Sequence, residues 1–343
     1  MARKLPREIR EALEKLEPDV RAAFEKAIAE IRAAAQFSKL TTALRDGNIE
    51  TAIEALRIEE AAFTALGDSL RAAYTTGGTL ALSRIAIRDP FDGSKFVLGF
   101  NGRAVRAEAW VSQKAGTLIA GIVEDQIRMA RAIILAGVEQ GRGPKAIALD
   151  LVGRINPATG RRAGGLIGLT EAQAQYVDSM RTELAALDRG YFRRELRDKR
   201  FDGTVLRALK DGKALSKTDI DRIAGRYKDR LLAHRGETIA RTEAITALRA
   251  GRSEGFRQLV DSGRVRSDQI ERGWTDTGDG RTRPDHREMD GTTVTGMDEP
   301  FTLPDGSRMM FPGDASLGAS AHQTINCRCW EQIRIKSNLL VPR

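Results

Sequence analysis

Apolar residues recur every three or four positions through the first 35 residues, and this period constrains the fold more than any other feature. Such spacing places the apolar side chains along one stripe of an α-helix. Pro6 and Pro18 are typical of first helical turns, where the missing N–H group has no partner to lose. The stripe consists of Ile9, Leu13, Leu16, Val20, Phe24, Ile28 and Ile31. The same period predicts further helices over about 48–83, 103–139, 144–154, 171–187, 190–211 and 217–262.

Two local signals refine these helices. Thr170 followed by Gln173 predicts a capping box, in which each residue bonds the backbone of the other at the start of the 171–187 helix. Gly251 is a candidate break in the last helix. The glycine-rich segment 156–168 is interpreted as a connector, with phosphate binding as an alternative; it lacks the Gly-Lys-Ser/Thr ending of a P-loop.

The composition changes at about 264–273. Before it, a hydrophobic content of 41% with only 5% aromatic residues favours helices packed through Leu, Ile and Ala. After it, turn formers separate short strand-like segments. The sequence therefore predicts an α+β chain with a helical body and a small loop-rich β or mixed C-terminal module. The predicted divisions are a helical region at 1–150, a basic helical region at 151–270, a module at 271–336 and a purification-tag remnant at 339–343.

Several classes of protein are disfavoured. No apolar run reaches the roughly 18 residues that a membrane span needs, and the first residues lack the apolar core of a secretory signal. Cys327 and Cys329 are the only cysteines, so a disulfide framework is excluded. We therefore expect a protein of the cell interior.

The positive charge is concentrated in one part of the chain. The net charge is +9, and residues 181–270 alone carry 22 basic and 14 acidic side chains, whereas residues 271–335 carry 7 and 11. A basic face is typical of proteins that bind polyanions such as nucleic acid, although an exposed helix with interleaved charges has the same composition. The candidate contacts to double-stranded DNA are Arg193, Arg194, Arg197, Lys199 and Arg200.

The cysteines and two histidines suggest a metal site in the C-terminal module. His286, His322, Cys327 and Cys329 offer two imidazoles and two thiolates, the ligand types of a tetrahedral zinc site. The Cys-x-Cys spacing is tighter than that of most zinc loops, so buried thiols with hydrogen-bonded histidines are the favoured interpretation. We expect no cofactor, and a structural Zn²⁺ is the alternative.

A catalytic interpretation uses the same residues. His286 and Glu288 followed by paired cysteines are similar to the zinc deaminase pattern His-x-Glu…Pro-Cys-x-x-Cys. Asn326 stands where that pattern has proline, and one residue instead of two separates the cysteines. A zinc-dependent hydrolase or deaminase acting on nucleic acid is thus the alternative function, whereas the leading expectation is a protein without catalytic activity.

The order of several motifs resembles the head-morphogenesis domain of phage Mu F-like minor head proteins. The motifs lie between about 155 and 335. They are GRRAGGLIGLT (160–170), RELRDKRFD (194–202), IARTEAI (239–245), Trp274, RTRPDH (281–286), MDG (289–291), Phe301, PGD (312–314) and INCRC (325–329).

The resemblance implies a structural role in the head of a tailed phage or prophage. Proteins of this family are minor head components made alongside the portal, so the expected partners are portal, capsid or scaffold proteins, with contact to packaged or ejected DNA. The expected location is the virion, and the host cytoplasm during assembly. The family gives the motif residues no settled catalytic role. Those carried over by position are Arg241, Thr242, Glu243, Trp274, His286, Asp290, Gly291, Asn326, Cys327 and Cys329.

Overall fold

The computed structural model describes residues 5–83, 85 and 98–336. The predicted tag remnant at 339–343 lies outside these residues. In the part of the chain that is described, no helix combines the length and the apolar character that crossing a bilayer requires.

Helices make up most of the chain, as the apolar periodicity predicts. The predicted N-terminal stripe is buried along the whole of the first helix. The helices are α1 (Arg7–Ala34), α2 (Phe37–Arg45), α3 (Ile49–Ala55), α4 (Thr64–Ser83), α5 (Val105–Glu139), α6 (Pro144–Val152), α7 (Glu171–Ala185), α8 (Asp202–Asp211), α9 (Lys217–Asp261), α10 (Pro284–Glu288) and α11 (Ala321–Thr324).

Short antiparallel strands complete the fold and confirm the α+β class. β3 is the central strand of a three-stranded sheet with β4 and β7 at its edges, and β1 pairs with β2 and β5 with β6. The strands are β1 (Arg154–Ile155), β2 (Arg162–Ala163), β3 (Ile270–Thr275), β4 (Thr293–Thr295), β5 (Phe301–Thr302), β6 (Arg308–Met309) and β7 (Trp330–Ile335).

The chain forms two compact units that are not continuous in sequence. The first unit contains residues 1–22, 66–116 and 238–343, and the second contains 23–65 and 117–237. The core of the second unit is centred on apolar residues of α7, α8 and the first part of α9. The first unit contains the three-stranded sheet, and the aromatic side chains Trp274 and Phe301 form part of its C-terminal core.

Close packing of helices α4 and α9 organises the first unit. A Cβ atom added to Gly77 would lie 1.9 Å from the Leu248 carbonyl oxygen, and one added to Gly251 would lie 1.8 Å from that of Tyr74. Both contacts are far shorter than any van der Waals distance, so only glycine allows the two backbones to approach in this way. Gly251 is therefore a packing residue, and α9 continues through it without the predicted break.

Three other local predictions also differ from the structure. The predicted helix over about 48–83 is interrupted between α3 and α4, where Glu60–Phe63 forms a 3₁₀ turn. Pro18 lies inside α1, which continues past it because the apolar face of the helix is buried on both sides of the proline. Residues 190–201 form two 3₁₀ turns instead of the first half of a helix, because the side chains of Asp188 and Asp198 accept hydrogen bonds from backbone N–H groups two residues later. The capping box of Thr170 and Gln173 is confirmed at the start of α7.

Candidate functional site

Three potential metal ligands converge in the core of the C-terminal module. His286 lies on the one-turn helix α10, and Cys327 and Cys329 lie just before β7. The His286 Nδ1 atom is 3.7 Å from the Cys327 sulfur and 3.5 Å from the Cys329 sulfur. All three side chains are at most 2% exposed. The structure thus brings together three of the four residues that the sequence suggested as metal ligands.

The fourth, His322, is not part of this cluster. It lies on the exposed side of α11, whereas its neighbour Gln323 is buried. The Gln323 amide donates hydrogen bonds of 2.7 Å to the carboxylates of Asp285 and Asp305, and these bonds fix the orientation of the short helix. Because adjacent helical residues point in different directions, the helix that buries Gln323 turns His322 toward solvent.

Alternation along the chain explains how both cysteines face inward. Cys327 and Cys329 are buried, while Arg328 between them forms two hydrogen bonds, of 2.7 and 2.9 Å, with the Asp279 carboxylate. Asn326 has a φ of +56°, and its N–H donates to the Thr242 hydroxyl at 3.0 Å. The left-handed Asn326 residue therefore ends the turn after α11 and directs the following residues toward β7.

Arg249 holds the two cysteine peptides in place from α9. Its guanidinium is fully buried and donates to the Pro312 carbonyl at 2.8 Å, to the Cys327 carbonyl at 3.2 Å and to the Cys329 carbonyl. This residue was missed in the sequence, although an arginine among Ala247, Leu248 and Ala250 is a visible exception to the apolar composition. Removal of this guanidinium would leave several buried carbonyl oxygens without a hydrogen-bond donor, which would lower the stability of the fold.

The thiols are electrostatically inequivalent. The pKa of Cys327 is lowered well below its usual value, chiefly by the hydrogen bond from the Cys329 thiol, and also by the positive charge of Arg249 and by His286. The same hydrogen bond and burial raise the pKa of Cys329. The pair is therefore poised to hold one thiolate, and the thiolate is the form of cysteine that binds metals or acts as a nucleophile.

Trp274 and the turn at Asp290–Gly291 form one wall of the cluster. The Trp274 ring packs edge-on against His286, with centroids 5.3 Å apart, and against Phe301, with centroids 5.5 Å apart. The Gly291 N–H donates to the Trp274 carbonyl at 2.9 Å, and the Asp290 carboxylate accepts from the Asp276 N–H at 2.8 Å. Gly291 has a φ of +85°, which suits glycine at this turn.

The remaining motif residues lie along α9. Thr242 and Glu243 are buried, and Arg241 is exposed. The Glu243 carboxylate lies 2.9 Å from the Lys114 ammonium group, while Thr242 binds the backbone of Asn326. These contacts connect α9 to α5 and to the cysteine segment, which supports a structural role for this motif.

A second buried charge network, also missed in the sequence, joins β3 to β7. The Arg272 guanidinium is fully buried, lies 3.1 Å from the Glu331 carboxylate and donates to the carbonyls of Gly296, Glu299 and Met310. Burial raises the pKa of Glu331, and the positive charge of Arg272 opposes this shift. The alternation of β3, which buries positions 270, 272 and 274, could have indicated that Arg272 points inward.

Most of the candidate DNA contacts are paired with carboxylates of their own chain. Arg194 forms two hydrogen bonds with Glu183, Arg197 two with Asp202, and Arg200 binds Asp198. The other two, Arg193 and Lys199, are exposed. The excess of arginine in this region is therefore partly used to hold the 3₁₀ turns in place.

The geometry does not favour the deaminase alternative. In that chemistry a glutamate must reach the water bound to the metal. Glu288 is exposed at the end of α10, whereas the side chain of His286, two residues earlier, is buried. The exposed carboxylate of Glu288 therefore lies in solvent and outside the buried thiol cluster.

The comparisons with known proteins concern the second half of the chain. Residues 199–331 match the family model described as phage Mu protein F like protein. No curated protein and no solved structure gives a significant match. The matched segment contains the Arg249, Arg272 and His286–Cys327–Cys329 sites, and it begins after the upstream motifs at 160–170. The resemblance seen in the motifs is thus confirmed over 199–331, where the chain is similar to phage Mu F-like proteins.

Proposed function

We propose that the protein is a minor head protein of a tailed phage or prophage that assembles with the portal and with capsid or scaffold proteins. The observation that carries this proposal is the family match over 199–331. The burial of Trp274, His286, Cys327 and Cys329 supports it, because these motif residues maintain a packed module instead of lining an open cleft. In this function the module provides a stable surface for assembly within the head.

Incorporation into particles tests this function directly. We expect the protein, co-expressed with the portal and capsid proteins of the same phage, to be present in purified procapsids in a few copies per particle. Omission of the portal should remove it, because a portal-linked protein has no other entry route. Quantitative mass spectrometry of the procapsids measures both amounts against the capsid protein as internal standard. Absence from portal-containing particles, or equal amounts with and without portal, would contradict the proposal.

Contact with DNA is the second part of the proposed function. Arg193 and Lys199 are exposed cations in the region where the chain has its largest positive excess. Arg200 is paired with Asp198, yet its side chain is 69% exposed and can also reach a phosphate. These residues would contact the phosphate backbone without reading the base sequence.

The salt dependence of DNA binding distinguishes phosphate contacts made by these residues from an effect of net charge alone. We expect the Arg193→Ala, Lys199→Ala double variant to bind duplex DNA more weakly and to lower the slope of log K against log salt by about 1 per lost contact. Fluorescence anisotropy over a salt series measures the slope. A Lys15→Ala, Arg45→Ala variant removes the same charge from exposed positions elsewhere and should bind like the wild type. Equal losses in the two variants would show that only net charge matters.

A further inference from the structure

We propose that His286, Cys327 and Cys329 form a Zn²⁺ site that stabilises the C-terminal module. This site is independent of the proposed head-assembly function. The three ligand atoms lie close together, all three residues are buried, and Arg249 and Trp274 hold them in position.

The distances between the ligand atoms match those of a tetrahedral zinc site. With Zn–S bonds of about 2.3 Å and Zn–N bonds of about 2.0–2.1 Å, two ligands at the tetrahedral angle are about 3.6 Å apart. The His286 Nδ1 atom lies 3.5 and 3.7 Å from the two sulfurs. All three ligand atoms lie within 4.8 Å of one another. The two nitrogen–sulfur distances are therefore already those that a shared ion requires.

The cluster has few other ways to satisfy its polar atoms. The His286 Nε2 atom is buried and has no hydrogen-bond partner among the described residues, so the polar contacts of the ring lie on its Nδ1 side. Sulfur is a weak donor and a weak acceptor. Zn²⁺ bound to two thiolates and a neutral imidazole would replace these weak contacts by three coordination bonds, and the ion with its three ligands would itself carry no net charge.

The surroundings hold the ligands in position before the ion binds. Arg249 fixes the carbonyls of both cysteines, and Trp274 packs against the His286 ring. Cys-x-Cys spacing suits this site because the chain approaches β7 with alternate side chains facing inward, whereas longer spacings suit ligands on a turn. The tight spacing that disfavoured zinc in the sequence is thus explained by the structure.

The chain supplies three ligands of this site. Among the described residues, no other histidine, cysteine or carboxylate joins the group. Soft sulfur with nitrogen selects zinc over magnesium or calcium, which prefer oxygen ligands.

Metal content of the untagged full chain tests the site. We expect elemental analysis and native mass spectrometry of protein purified under reducing conditions to find one zinc ion per chain. The double serine variant, Cys327→Ser with Cys329→Ser, should bind no zinc. His322→Gln, which changes an exposed histidine of the same module outside the cluster, should keep it. Chelation should lower the melting temperature of the wild type and leave that of the double serine variant unchanged.

Cobalt substitution of the wild type keeps the test independent of whether the variants fold. Co²⁺ added to the metal-free wild-type protein should give the intense near-ultraviolet charge-transfer absorption of cobalt–thiolate bonds, and added Zn²⁺ should abolish it. The proposal is overturned if the folded wild type holds no more zinc than the double serine variant and gives no such absorption. Stoichiometric copper in place of zinc, or a Cys327–Cys329 disulfide in the purified chain, would overturn it as well.

Discussion

Replacement of Gly251 by alanine should destabilise the first unit by about 3 kcal/mol or more, the upper range for overpacked cores. The added Cβ atom would lie 1.8 Å from the Tyr74 carbonyl oxygen, which belongs to the backbone of α4 and cannot rotate away as a flexible side chain would. Relief requires the two helices to separate, and separation opens the buried surface around Ala81, Leu82 and Phe256. Gly77→Ala, which meets the Leu248 carbonyl, should have a similar effect.

Gly225, on the same helix, provides a control whose substitution should not lower the stability. A Cβ atom added to Gly225 meets no atom within 4 Å, and this residue lies inside α9. Gly225→Ala should therefore leave the protein equally stable or stabilise it by up to about 1 kcal/mol, because alanine is the better helix former. Urea denaturation followed by circular dichroism measures both changes. Equal stabilities of the Gly251→Ala and Gly225→Ala proteins would show that α4 and α9 do not approach as closely as described.

The contact at Gly251 illustrates what the sequence could not reveal. Periodicity correctly predicted the helical body, because the burial of one stripe depends on residues three and four positions apart. A glycine within such a pattern predicts a break on local grounds alone. Its true role depends on Tyr74, more than 170 positions away, and no spacing rule connects the two.

The region from 190 to 201 differs for a similar reason. Arg194 and Arg197 have high helix propensity, and with Leu196 they give a helical pattern. The aspartates at 188 and 198 instead bind nearby backbone N–H groups, and the arginines bind Glu183 and Asp202. These specific ion pairs override the weak preference of the backbone, and they also occupy side chains that composition alone assigned to DNA.

The candidate metal site was partly predictable. The types of the ligands were visible in the sequence, because histidine and cysteine are common zinc ligands and a small loop-rich module gains stability from a bound metal. The sequence could not predict that His286 and not His322 joins the cysteines, because this depends on which face of each short helix is buried. The stability of the site also depends on Arg249, an arginine whose role is visible only once its carbonyl partners are known.

Replacement of Arg249 by methionine should cost about 3 kcal/mol or more of stability, because three buried carbonyls lose their donor and each unmet buried acceptor costs about 1–3 kcal/mol. Methionine keeps most of the volume but donates no hydrogen bond. The carbonyls of Pro312, Cys327 and Cys329 would then be buried without their guanidinium donor, and each unmet acceptor is costly. Lysine should restore only part of the loss, because a single ammonium group lacks the planar fork that reaches several carbonyls.

An arginine on the surface of the same helix is the matched control. Arg222 is 57% exposed and pairs with Asp219, so Arg222→Met should cost at most about 1 kcal/mol. Urea denaturation compares the two variants, and tryptophan fluorescence in a Trp110→Phe background reports on the C-terminal module, which contains the other two tryptophans, Trp274 and Trp330. If Arg249→Met is no less stable than Arg222→Met, the guanidinium does not hold the cysteine peptides. If the fluorescence of Arg249→Met changes at a lower urea concentration than its helical circular dichroism signal, the C-terminal module, which contains the three carbonyls, unfolds first.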